Sequence, residues 1–167
     1  MTALTNEHIL EKLKEQFGEA VVAAEESYGM LTVTVEPEIV LPLFRFLYEE
    51  PGLEFRFLTD LCGIHDDRSP ERLGVVYHLR NMPRRSDIRI KAFIPKEKPE
   101  IDSLTPLYAS ADWQERETYD FFGIIFKGHP NLKRILNVDD MDYFPLWKEY
   151  PLEDGTRTDK NDSMFGR

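Results

Sequence analysis

Apolar residues first recur at helical spacing: Ile9, Leu10, Leu13 and Phe17 fall on one side of a helix predicted over 5–17. Thr5 can cap its start, and Gly18 fits a left-handed stop at its end. The period then shortens to two. Residues 20–24 form a short apolar run, and Leu31, Val33 and Val35 alternate with Thr32 and Thr34, which predicts two strands joined through Tyr28 and Gly29. Pro37 at a first helical position opens a second helix with Val40, Leu43, Phe44 and Leu47 on one face. Pro42 within it demands a late start or a kink.

Three more strand patterns follow. Leu53, Phe55 and Phe57 alternate with Glu54 and Arg56, and residues 72–79 are apolar and rich in β-formers. Ile88, Ile90, Ala92 and Ile94 alternate with charged residues until Pro95 ends the run. A last helix, about 113–122, is bracketed by Asp112 with Glu115, a capping-box pair, and by Gly123. The order αββαβββα, with strands wet on one side, predicts an α+β domain. Its sheet is expected to be mixed and mostly antiparallel, with helices packed on one face.

After residue 127 the pattern stops. Residues 128–167 carry prolines at 130, 145 and 151, and from 139 to 162 there are eight acidic residues against three basic ones. Such a segment has poor means of burying itself on its own domain. It reads as a disordered tail or as an arm that wraps a partner, and the expected division is a core over 1–127 and an extended acidic arm over 128–167.

Composition narrows the classes. A chain of 167 residues, 41% hydrophobic, suffices for one sizeable core. A net charge of −10 argues against nucleic acid as a partner and against a polybasic membrane anchor. The single cysteine, Cys62, allows no internal disulfide and no iron–sulfur cluster held by this chain alone. No apolar run approaches the roughly 20 residues of a membrane span, and the first residues lack the pattern of a secretory signal. A cytoplasmic chain is expected, with membrane contact only through other proteins.

Candidate chemistry is sparse. There is no G-x-G-x-x-G, no Walker loop and no C-x-x-C. Cys62, His65, Asp66 and Asp67 can supply zinc ligands, but no second pair lies at ligand spacing, and a polar turn at a strand end is the simpler reading. Cys62 with His65 or His78 as base has nothing local to activate the thiol. The run that stands out is residues 115–126, ERETYDFFGIIF. At 100° per residue Trp113, Arg116, Glu117 and Asp120 share a helical face, and Arg116 and Asp120, four apart, can pair. A helix apolar on its other sides should be enclosed, and buried charges persist only when paired. Glu115, Arg116, Glu117 and Asp120 are therefore read as a structural network at a domain or subunit boundary rather than as catalytic groups.

Residues 115–136, ERETYDFFGIIFKGHPNLKRIL, closely resemble the signature of the C subunit, the 30-kilodalton-type subunit, of respiratory complex I. Leu58-Thr59-Asp60-Leu61 before Gly63, and Pro145-Leu146 followed by Lys148-Glu149-Tyr150-Pro151-Leu152, add to a likeness that covers about residues 5–152. The resemblance implies a subunit of NADH–quinone oxidoreductase that carries no catalytic site and no cofactor. FMN, iron–sulfur clusters and quinone would belong to partner subunits. It implies a place in the hydrophilic arm beside subunits D, B and I, peripheral to the inner membrane on its cytoplasmic side. By position, Glu115, Arg116, Glu117, Tyr119, Asp120, Gly123, His129, Pro130 and Arg134 would be its signature residues, holding the helix-to-arm junction and docking the arm on neighbours. Family members often read H-P-L-R-K near the end, where this chain has Phe144-Pro145-Leu146-Trp147-Lys148. An indole cannot replace a guanidinium fork, so Trp147 is expected to anchor in a partner pocket; the end of the chain either docks through Met164 and Phe165 or is an unbound flexible terminus.

Three other readings compete, the first within the same class and the other two outside it. A membrane-bound hydrogenase, or another quinone-reducing complex with a different donor, would carry a similar subunit. A stand-alone Cys62–His65 enzyme would turn over by itself. An unrelated adaptor would not associate with membranes.

Overall fold

A computed structural model describes residues 4–66 and 72–150. The first helix, α1 (Asn6–Phe17), has Thr5 at its N-cap, whose hydroxyl accepts from the His8 amide, and it buries Ile9 and Leu13. Gly18 ends it with a positive φ of 54° but an extended ψ of −126°, so the stop is not the left-handed one expected. Strands β1 (Val21–Ser27) and β2 (Met30–Val35) form the hairpin predicted across Tyr28 and Gly29. Pro37 opens a 3-10 turn, and α2 (Val40–Glu49) starts only afterwards. The late start resolves Pro42, which falls in the first helical turn, where an amide lacks an intrahelical acceptor anyway.

One strand is misplaced by the sequence pattern. Leu53 and Phe55 are buried, but residues 53–56 are irregular and Glu54 has a φ of 44°. Their alternation reflects anchoring rather than a ladder: Asn81 donates to the Leu53 carbonyl at 2.6 Å and the Tyr108 hydroxyl to the Phe55 carbonyl at 2.8 Å. The strand is β3 (Phe57–His65), followed by β4 (Arg72–Asn81), β5 (Ser86–Pro95) and the short β6 (Glu100–Asp102). Helix α3 (Ala111–Phe122) and β7 (Ile125–Lys127) complete the described elements.

The sheet order is β1-β2-β5-β4-β3, antiparallel except for the parallel β2–β5 pair, and β6 pairs with β7 in a small second sheet. This is the mixed α+β fold expected. Register explains its single core. Val33 sits opposite Ile90, Ile90 opposite Tyr77, and Tyr77 opposite Leu61, so one face collects the alternate apolar residues of four strands. The three α-helices of the described residues lie on that face, where Val40, Leu43, Phe44 and Leu47 of α2 are buried. Where α3 crosses β3 only glycine fits: a Cβ on Gly63 would stand 2.5 Å from the Phe122 ring and 2.9 Å from Thr118.

The other face carries charge. Lys91 pairs with Glu25 at 3.3 Å and Arg80 with Asp87 at 3.5 Å. Arg89 donates to His78 Nε2 at 2.7 Å, and burial followed by this cation holds His78 below its ordinary pKa.

Candidate functional site

Helix α3 and the segment after it form the densest polar construction in the described chain. Sequence periodicity places a capping box at Asp112 and Glu115, but α3 begins at Ala111 and Ser110, at the N-cap, makes no side-chain cap. Glu115 turns inward instead. It is fully buried and accepts from the Ser103 hydroxyl at 2.7 Å and the Leu104 amide at 2.6 Å. Burial outweighs these two donors and pushes its carboxyl up to about 7.

Arg116 and Asp120 do not pair with each other. Asp120 is fully buried and its partner is Arg134, at 2.8 Å. Its Oδ2 accepts the amides of Ile135, Leu136 and Asn137 at 3.1, 2.8 and 2.9 Å, while Oδ1 takes Arg134 Nη1 and, at 3.1 Å, the Asn137 side chain. Burial alone would raise this carboxyl, but the surrounding donors prevail and hold it well below the usual carboxylate range. Arg116 donates to the carbonyls of Lys133 and Arg134 at 3.3 and 3.4 Å and lies 5.0 Å above the Trp113 ring. The predicted shared face is thus split: Arg116 and Asp120 are buried under the returning chain, whereas Trp113 and Glu117 remain exposed.

That return closes the end of α3. A helix leaves its last four carbonyls without intrahelical donors. Here Tyr119 O accepts from the Gly123 amide at 2.8 Å, and Asp120 O from Arg134 at 3.0 Å. Phe121 O accepts from the Leu146 amide at 3.3 Å, and Phe122 O from the Trp147 indole at 2.8 Å. Gly123 takes a left-handed φ of 73°, as its position predicts, and a Cβ there would strike the Phe144 ring at 2.5 Å. Arg134 also donates to the Met141 and Tyr143 carbonyls at 2.8 and 3.2 Å. A guanidinium at the C-terminal end of α3 complements the helix dipole as well.

The segment after 127 therefore does attach to its own domain as far as residue 150, half-buried at best apart from the covered His129 and Arg134 side chains. Apolar periodicity gives no hint of this, because the attachment is made by backbone groups and two buried ions. Trp147 is likewise seated on its own chain rather than held out for a partner pocket. Its ring meets Phe144 at 5.4 Å and lies beneath the Lys96 ammonium at 4.2 Å. Tyr119 touches Phe144 edge-on at 6.3 Å. His129 has a fully buried side chain, with Nε2 3.1 Å from Asp112 O and Nδ1 accepting the Asn131 amide at 3.0 Å, and the neighbouring Pro130 is exposed. The Lys148 amide donates to His65 Nδ1 at 3.0 Å, tying the arm to β3. Met164, Phe165, Pro151 and Leu152 lie outside the described residues.

The Cys62–His65 pair is separated by the strand that carries it. An odd spacing puts the two on opposite faces of β3, Cys62 exposed and His65 buried. Desolvation, then the charges of Asp60 and Glu117, push the Cys62 thiol up, the wrong direction for a nucleophile. Among the described residues no group of three His, Cys, Asp or Glu is placed to hold a metal ion; Asp67 lies outside them. An open groove of about 800 Å³ runs between the arm and the charged sheet face, lined by Ile64, Lys91, Phe93, Leu146, Trp147 and Tyr150 among others.

Sequence reasoning missed Arg134 as the ion partner of Asp120 and Ser103 as the partner of Glu115. Neither lies at helical spacing, so periodicity carried no signal for them.

The sequence pattern of the family "Respiratory-chain NADH dehydrogenase, 30 Kd subunit" matches residues 33–156. A relative from Citrifermentans bemidjiense, the C subunit of its NADH-quinone oxidoreductase, is 45% identical over 148 residues, covering 89% of this chain and 91% of that protein. The protein of the same name from Roseiflexus sp. strain RS-1 is 43% identical over 150 residues, covering 90% and 86%. Among solved structures, a trypsin-resistant fragment (1–134) of Nqo5 superimposes with a TM-score of 0.61 at 32% identity, covering 74% of this chain and 99% of the fragment. A chain of the membrane-bound sulfane sulfur reductase, an archaeal respiratory membrane complex, gives a TM-score of 0.73 at 21% identity, covering 87% and 85%, and shares the fold.

Proposed function

The chain belongs to the family of the 30 kDa subunit of the respiratory-chain NADH dehydrogenase, and we propose that it is a non-catalytic structural subunit in the hydrophilic arm of a proton-translocating NADH–quinone oxidoreductase. Relatives at this identity are subunits of an oxidoreductase complex, and no helix among the described residues is long and apolar enough to cross a membrane. In this reading the chain sits at the periphery of the inner membrane, on its cytoplasmic side, held there by subunits D, B and I. FMN, iron–sulfur clusters and quinone are carried by those and other neighbours, which pass electrons from NADH to quinone.

One observation supports a structural role above others. Apart from the exposed Glu117, the acid and arginine residues of the signature are occupied internally: Glu115 accepts from Ser103 and Leu104, Asp120 accepts five hydrogen bonds, and Arg116 and Arg134 are directed at backbone carbonyls. A carboxylate so saturated, and held so acidic, has neither a free lone pair nor a usable proton near neutral pH. Such groups set the position of the α3–arm junction, and a fixed junction is what a docking surface needs.

The fold shared with the sulfane sulfur reductase keeps a second reading in view, the equivalent subunit of a complex with another electron donor. Both are tested by purifying the tagged chain from detergent-solubilised membranes. Co-purification of subunits D, B and I together with a flavin-bearing, NADH-oxidising protein and NADH-dependent quinone reduction is expected. Recovery of a membrane complex lacking that protein favours the second reading, and recovery of the chain alone overturns both.

A further inference from the structure

Resting on the subunit reading above, we infer that Trp113, Leu136 and Val138 form a preorganised contact surface for a partner subunit that offers an apolar seat edged by Lys or Arg. These three side chains are 62%, 63% and 62% exposed. Each is displayed on a fixed mount. The Leu136 amide is clamped by Asp120 at 2.8 Å, and Val138 follows two residues later. The Trp113 ring lies under the Arg116 guanidinium, itself fixed to the carbonyls of Lys133 and Arg134. Trp113, Arg116 and Asp120 are three and then four apart on α3, so the strip of chain from 133 to 137 runs along the helix face that starts at Trp113.

The network thus fixes the Trp113 ring and the backbone that carries Leu136 and Val138, and a segment already ordered loses less freedom when a partner closes over it. Tryptophan in such a position is the residue type whose truncation most often weakens an interface.

The edge of this surface sets the partner's charge. Glu117, one turn along α3 from Trp113, is exposed, as are Asp139, Asp140 and Asp142 just beyond Val138; Lys133 is an exposed cation of the strip, and Arg134 is turned inward to Asp120. A second copy of this chain would set acid against acid, so self-association is disfavoured. A neighbour with basic side chains around an apolar seat is matched.

The test uses the tagged chain expressed in its own membranes as wild type, Leu136→Ser with Val138→Ser, Trp113→Ser, and Asp139→Lys with Asp140→Lys. The readouts are partner subunits recovered per tagged chain, at low and high salt, and the melting of each isolated chain. Each set of apolar truncations should lower recovery about tenfold, while melting stays with wild type for the Leu136/Val138 variant and falls only slightly for Trp113→Ser, which also loses its contact with Arg116. The charge-reversed variant, which removes no contact described above, should also lower recovery and flatten its salt dependence. Unchanged recovery of the charge-reversed and Trp113→Ser variants beside a fully assembled wild type overturns this surface alone, as does self-association of the isolated wild-type chain through it. A wild type that recovers no complex overturns the subunit reading itself.

Discussion

Replacing Asp120 by Asn is the sharpest perturbation of the α3–arm junction. The amide is nearly isosteric, but its NH₂ must take the place of one carboxylate oxygen, and both oxygens face donors. At Oδ2 the NH₂ would meet the amides of Ile135, Leu136 and Asn137; at Oδ1 it would meet Arg134 and the Asn137 side chain. The Asp120 and Arg134 side chains are 0% and 10% exposed, so the lost charge is an enclosed one. Removing one member of such a pair costs about 3–5 kcal/mol, and we take about 3 because Arg134 keeps the carbonyls of Asp120, Met141 and Tyr143. That loss falls on the arm before it falls on the sheet, because the core contacts of β2 to β5 are untouched. Hydrogen exchange reads it directly. The amides of residues 135–137 should lose about a hundredfold in protection, while those of β4 and β5 change little. The pH dependence has a fixed sign. A carboxyl whose folded pKa lies below its ordinary 3.8 stabilises fully above that value and loses its contribution as pH falls through the folded pKa. Wild type should therefore release the arm in strong acid, and the Asn variant should lack that acid-induced step. Protection at 135–137 within about threefold of wild type would refute the reasoning.

Glu115→Gln tests the opposite case. Its carboxyl is raised from 4.5 to about 7, so its neutral form is the one the fold favours; that stability is present below the ordinary value and is lost as pH rises through about 7. The Gln variant should match wild type near pH 5 and exceed it by about 3 kcal/mol near pH 9 in chemical denaturation; equal pH profiles would contradict the assignment. Gly63→Ala drives a Cβ into Phe122 and Thr118 and should lower stability by about 1–3 kcal/mol, read as a fall in Tm of about 2–4 °C per kcal/mol. Trp147→Phe keeps the ring but withdraws the indole donor from Phe122 O, at about 1 kcal/mol, visible as faster exchange at the Leu146 amide.

The sequence was most legible where one physical signal dominates. The β4 and β5 patterns follow from alternation with one buried face, and α1 follows from Thr5 and its apolar stripe. It misled at Leu53 and Phe55, which alternate like a strand but are held by Asn81 and Tyr108 from distant segments. At Glu115 a capping pattern was present, yet tertiary contact with Ser103 and Leu104 won over local geometry. The signature was recognised as a charged network, but its wiring was not. Helical spacing suggested Arg116 with Asp120, whereas Asp120 reaches Arg134 fourteen residues away, after the chain has turned back. Long-range return of a polar segment leaves no periodicity to read.

The role we propose for the buried charges of the α3–arm junction is to position the arm for assembly, with no part in electron transfer. Membranes carrying Asp120→Asn in place of the wild-type chain decide it, through two numbers: the amount of assembled complex and the NADH-dependent quinone reduction per assembled complex. The first should fall and the second stay unchanged. Normal assembly with altered turnover per complex would contradict a purely structural role.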